Sequence, residues 1–172
     1  MLWQKHDEKL IRDGFRKILS KIFILPNGQK KDFEIKKEGD VVCVVPVTKK
    51  EKIILAKQFR PGLEKIFLEL PGGGVEQDET PEMAVKRELL EETGYVGQVE
   101  FVCTIPICAY STGRRHVFVA TECEKVGEQK LDDSEFAEVV FMTLGDFRNH
   151  LREGQLTDVN VGYLGLDFLN LL

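Results

Sequence analysis

Short apolar runs along this chain are separated by turn chemistry, and their length and alternation predict an ordered series of strands and helices. Residues 9–40 alternate short mixed segments. Within them KIFIL (21–25) and KKDFEI (30–35) flank Pro26-Asn27-Gly28, and Asn-Gly favours the positive φ of a hairpin turn. VVCVVPV (41–47) is a continuous apolar run, as expected of a strand covered on both faces. A polar turn at 49–52 leads to a returning strand, IILAKQFRP, ended by Pro61. A short strand over 66–70 runs into Pro71 and three glycines. Thr80 then stands as N-cap, Pro81 at the first helical position and Gly94 as the stop of a helix. Further strands are predicted over 99–107 and 116–121 around the polar loop 111–115, and over 138–143. A helix starts near Thr143 and ends before Gly154, and the apolar tail 161–172 reads as a last helix. Strands and helices are intermixed, with no repeat and no low-complexity linker, which suits an α/β sandwich.

Bulk properties narrow the classes. With 172 residues, 42% hydrophobic and 31% charged, the chain has the makings of one well-buried domain with a small appendage. A net charge of −5 argues against a nucleic-acid binder, though not against a nucleotide substrate met by local basic groups and cations. No apolar run is long enough for a membrane span, and the first residues are too charged for a signal-peptide core. Cys43, Cys103, Cys108 and Cys123 lack paired spacing and the three histidines are scattered, so no zinc site is expected. The cysteines read as reduced core thiols of a cytoplasmic protein.

The helix after the glycines carries the chemistry. At about 100° per residue, Glu88, Glu91 and Glu92 fall within an arc of about 100° while Leu90 and Met83 point away. Crowded carboxylates raise one another's pKa, and a divalent cation between them relieves the repulsion. All-oxygen ligation suits Mg²⁺, with Mn²⁺ as substitute. An isolated cluster of this kind is usually a solvated acidic face; the flanking glycines turn the balance. Gly72, Gly73 and Gly74 allow backbone to approach metal and phosphates without a Cβ in the way. Within this set Glu88, Glu92 and Gly73 are the metal candidates. Arg87, about 40° from Glu91, is placed to orient the glutamates, and Glu79 to pair with Arg87. Cations on such a cluster neutralise phosphate charge and lower the pKa of an attacking water, which implies hydrolysis of a phosphoanhydride.

Written out, the pattern is Gly73, five residues, Glu79, seven residues, then Arg87-Glu88-Leu89-Leu90-Glu91-Glu92-Thr93-Gly94. It resembles the signature of the Nudix hydrolases, with every defining position filled. Asp13-Gly14, Pro26-Asn27-Gly28, Gln58-Phe59-Arg60, Glu69-Leu70-Pro71-Gly72-Gly73 and Gly154-Gln155-Leu156-Thr157-Asp158 are similar, in order, to motifs of the ADP-ribose pyrophosphatase branch. The resemblance implies a Nudix-type α/β/α sandwich with a mixed sheet (41–172) and a small N-terminal antiparallel β-sheet (1–40) that serves a homodimer. It implies Mg²⁺-dependent hydrolysis of ADP-ribose or a related nucleoside diphosphate sugar. It also implies that Arg60 and Glu69 contact the nucleotide or its phosphates. The general base in this branch often lies in a late loop, here Leu131-Asp132-Asp133-Ser134-Glu135. Glu135 is the first candidate, Asp133 the second, and Glu91 the residual one.

One stretch departs from the branch. Where many of its members carry Ser-Pro-Gly followed by an acidic residue, this chain has Ser111-Thr112-Gly113-Arg114-Arg115-His116. Arg114 and Arg115 are candidates for an additional phosphate or a different distal group, or else solvated loop charges. GDP-mannose and other nucleotide sugars therefore stand as alternative substrates. A non-catalytic ADP-ribose sensor is a further alternative, set against intact glutamates.

Overall fold

The structure, a computed structural model, describes residues 2–131 and 136–172. The chain forms two compact units, one of residues up to Asp40 together with 105–115, the other of 41–104 with 116–172.

In the smaller unit β1 (Gln4–Arg12), β2 (Lys17–Ile24) and β3 (Lys30–Lys37) form an antiparallel sheet in that order. The β2–β3 turn is closed by Gly28, whose N–H donates to the Leu25 carbonyl at 2.9 Å and whose φ is +80°. Asn27 accepts from the Gln29 N–H through Oδ1 at 3.1 Å, the local bond that makes Asn apt here. The first strand is not foreseen in the sequence. Its nine residues, QKHDEKLIR, are all exposed and its register shifts twice, so the edge of the sheet carries no alternating signal. Trp3, Phe23 and Phe33 cluster on this sheet with ring centroids 5.5–6.1 Å apart. The 105–115 segment joins it through the Lys36 N–H, which donates to the Tyr110 carbonyl at 2.9 Å.

In the larger unit β4 (Val41–Thr48), β5 (Lys52–Arg60) and β6 (Lys65–Glu69) precede α1 (Pro81–Thr93). β7 (Tyr95–Pro106) and β8 (Arg114–Lys125), apart from their residues within 105–115, follow with β9 (Ala137–Thr143), α2 (Leu144–Arg152) and α3 (Val159–Phe168). The six-stranded sheet runs β6-β5-β4-β8-β7, with β9 also paired to β5. The continuous apolar run of β4 is buried on both faces because successive side chains point opposite ways. Val42 and Val44 pack with Ile54, Phe118 and Ala120 against Ala84, Val85 and Leu89 of α1. Val45 faces the other side, where it and Val119 lie against Gly165 of α3. Phe147 and Leu151 of α2 are buried as well, Leu151 against Gly162 of α3. Each such large side chain contributes about 1.5–3 kcal/mol of burial. Helices thus cover both faces of a mixed sheet, the α/β/α arrangement that the sequence predicts.

Boundaries differ from the sequence reading in instructive ways. β7 starts at Tyr95, directly after the Gly94 cap, and α3 spans 159–168 rather than 161–172. All four cysteines are thiols rather than disulfides; Cys43 and Cys123 are buried, but Cys108 is exposed and so is no core thiol. Burial pushes the Cys123 thiol up to about 11. Among the described residues no helix is long and apolar enough to cross a membrane.

Candidate active site

The carboxylate-bearing helix is fixed at both ends by the residues the sequence singles out. The Thr80 hydroxyl accepts from the Met83 N–H at 3.2 Å, Pro81 takes the first position, and Gly94 closes the helix at φ +75° with its N–H on the Leu90 carbonyl at 2.8 Å. The helix buries Ala84, Val85 and Leu89 against the sheet; Arg87, Glu88, Glu91 and Glu92 lie part-buried on the adjoining arc, and exposed Met83 marks the far side.

Arg87 is the hub of that face. Its Nε and Nη2 donate to the two oxygens of Glu79, each at 3.0 Å. Nη1 donates to Glu88 at 2.9 Å and to Glu91 at 3.1 Å, and Nη2 donates also to the Gly74 carbonyl at 3.0 Å. Five bonds match the five N–H groups of a guanidinium. The paired charge holds the Glu79 carboxyl below its ordinary range, and Glu79 in turn raises Arg87. Glu79 also accepts from the Glu76 N–H at 3.2 Å, which stiffens the loop before the cap.

The glycine segment runs beside β4. The Val42 N–H donates to the Gly73 carbonyl at 2.9 Å and the Val44 N–H to the Pro71 carbonyl at 3.0 Å. Its N–H groups meet the helix: Gly72 donates to Glu92 Oε2 at 3.0 Å. A Cβ on Gly72 would strike the backbone of Val42 and Cys43, and one on Gly73 would fall on the Glu88 carboxylate. Nothing lies within 4 Å of the corresponding position on Gly74. Glu88, Glu92 and Gly73 are thereby brought together.

Arg60 and Glu69 also meet. Arg60, at the end of β5, donates through Nε to Glu69 Oε2 at 2.5 Å. The Glu69 side chain is only 3% exposed, and its other oxygen accepts from the Thr157 hydroxyl. Half of the Arg60 side chain remains exposed.

A family model of the Nudix domain matches residues 37–159. The chain belongs to the Nudix hydrolase family. It is 38% identical over 144 residues to an ADP-ribose pyrophosphatase of Bacillus subtilis (strain 168), covering 81% of this chain and 77% of that one. It is 34% identical over 164 residues to an ADP-sugar pyrophosphatase of Mus musculus, covering 84% and 75%. A crystal structure of an ADP compounds hydrolase superposes with a TM-score of 0.85 at 19% identity, over 99% of this chain and 95% of that one, and shares the fold.

Within the Nudix domain the donor chemistry fits a hard divalent cation. Glu88, Glu91 and Glu92 present carboxylate oxygens within one helical turn, and the Gly73 backbone passes close to Glu88. Among the described residues no cluster of three His, Cys, Asp or Glu side chains stands preformed for a metal. Arg87 instead supplies a positive charge to Glu88 and Glu91. Glu135 and Asp133 lie outside the described residues. Arg114 and Arg115 belong to the smaller unit, where the Arg114 fork engages Asp40 through Nη2 at 2.7 Å and Nε at 3.3 Å.

Two contributors escape the sequence reading. Gln129 Nε2 donates to the Glu92 carbonyl at 2.7 Å and the Ala137 carbonyl at 3.1 Å, tying the end of α1 to β9. Thr157 carries no charge and no pattern of its own, although the Gly154–Asp158 motif marks its neighbourhood.

Proposed function

We propose that this Nudix hydrolase cleaves the pyrophosphate of ADP-ribose, or of a closely related nucleoside diphosphate sugar, to a nucleoside monophosphate and a sugar phosphate. The observation that carries the reading is the meeting of Glu88 and Glu92 on α1 with the close-packed Gly72-Gly73 backbone. That surface is acidic, glycine-lined and rigid, and suits a polyphosphate held through a divalent ion. The names of the relatives point to the same substrate class.

Mg²⁺ is the ion we assign, with Mn²⁺ as substitute, held by Glu88, Glu92 and the Gly73 backbone. The chemistry such an ion supplies when bound is neutralisation of phosphate charge and a lowered pKa of water. Arg87 orients the glutamates through its bonds to Glu88 and Glu91. Arg60 binds and aligns the phosphates, with its Nε held by Glu69. Glu135 takes the proton of the attacking water, with Asp133 second and Glu91 the residual base. Arg114 and Arg115 meet the distal group. The chain acts in the cytoplasm as a homodimer through the 1–40 sheet.

Hydrolysis of ADP-ribose, GDP-mannose and UDP-glucose side by side, with products separated chromatographically, tests the substrate. ADP-ribose turned over at least tenfold faster in kcat/KM supports the reading. Preference for another sugar overturns it and makes Arg114 and Arg115 the first residues to substitute.

A further inference from the structure

We propose that Thr157 and Glu69 form a positioning pair that fixes the Arg60 guanidinium for phosphate binding, and that Glu69 acts through Arg60 rather than on the substrate. The inference rests on the reading of Arg60 as a phosphate ligand.

Glu69 is 2% exposed, and each of its oxygens already has a donor, Oε2 from Arg60 Nε at 2.5 Å and Oε1 from the Thr157 hydroxyl. A carboxylate so enclosed has little surface to offer a ligand. Arg60 has the opposite character. Its side chain is 47% exposed, and its two terminal nitrogens make no hydrogen bond among the described residues. Because a guanidinium is planar and rigid, fixing Nε fixes the directions of the remaining N–H groups. One edge of Arg60 is thus anchored in the core while its outer fork keeps the two-pronged geometry that suits phosphate oxygens.

Thr157 completes the anchor from far along the chain, 88 residues after Glu69. It lies in the turn between α2 and α3, beside Leu156, which is 4% exposed and pins that turn to the core. Without the hydroxyl, Glu69 keeps a single partner and can rotate about it, and the Arg60 plane turns with it. Arg60 would still carry its charge but would no longer be held in one orientation. The expected loss is in binding rather than in chemistry.

The test compares Thr157→Val with Thr157→Ser in the full chain, using ADP-ribose and Mg²⁺. Thr157→Val is expected to raise KM about fivefold or more with kcat within about twofold, the signature of lost binding common to ground and transition state. Thr157→Ser restores the wild-type KM. Arginine side-chain ¹⁵N spectra without substrate give an independent readout, in which the Arg60 Nε–H signal broadens in Thr157→Val and sharpens again in Thr157→Ser. Thr157→Ala serves if the valine variant folds poorly. An unchanged KM together with an unchanged Arg60 signal in the variant lacking the hydroxyl overturns the proposal. If Arg60→Gln itself leaves KM unchanged, the proposal falls with the phosphate reading of Arg60. The ¹⁵N spectra then tell whether the positioning contact or the substrate role has failed.

Discussion

Glu79 grips the guanidinium of Arg87 with both carboxylate oxygens, each bond 3.0 Å long, from a position just before the cap of α1. That clamp leaves Nη1 for Glu88 and Glu91 and so sets where the acidic face presents its oxygens. Arg87→Lys keeps the charge and loses the fork, since an ammonium cannot make five bonds in one plane. Kcat should fall about 10- to 100-fold, as for other groups that orient ligands. Stability should fall by about 1–3 kcal/mol, the scale of lost charged hydrogen bonds. Steady-state kinetics and urea denaturation check both.

The same clamp has a pH signature. Its bond to Arg87 holds the Glu79 carboxyl below the ordinary 4.5. A lowered carboxylate contributes stability that is fully present above the unfolded value, about 4.3, and is lost as pH falls through the folded one. The stability difference between wild type and Glu79→Gln should therefore be constant from pH 7 to about 5 and shrink below. Urea midpoints across that range measure it, and a difference that grows on acidification contradicts the assignment.

Gly72, Gly73 and Gly74 should respond differently to alanine. Gly72→Ala drives a Cβ into the β4 backbone and should cost about 1–3 kcal/mol or more. Gly73→Ala meets a side-chain carboxylate that can move, so the fold survives while Glu88 is displaced and turnover drops. Gly74→Ala has open space and should be near wild type in both. Melting temperature and kcat for the three variants separate these outcomes.

Glu92→Gln keeps an oxygen that can accept from the Gly72 N–H and removes the charge. Turnover should fall at least about 100-fold, beyond the usual effect of an outer-shell group. The circular dichroism spectrum should be unchanged. Turnover near wild type would take Glu92 out of the metal assignment.

How much of this was legible in the sequence depends on chain distance. Thr80, Pro81 and Gly94 announce α1 because caps act within one turn, and the spacing of Arg87 and Glu91 predicts their contact at 3.1 Å. The apolar run 41–47 gives β4 for the same local reason. β1 stays hidden because an exposed edge strand needs no apolar alternation, and here all nine residues are exposed. The bond between Thr157 and Glu69 stays hidden because nothing local relates residues 88 apart. The Arg114 bond to Asp40 spans 74 residues and is equally unreadable, which is why the loop charge stood as a candidate ligand. The helix arc foretold a shared acidic face, but not that Arg87 would engage Glu88, its immediate neighbour.

The most direct test of the central claim is hydrolysis of ADP-ribose by the purified chain with Mg²⁺ and with excess chelator, products identified chromatographically. The account predicts AMP and ribose 5-phosphate with Mg²⁺ and turnover lost with chelator. Equal turnover under both conditions, or none under either, would contradict it.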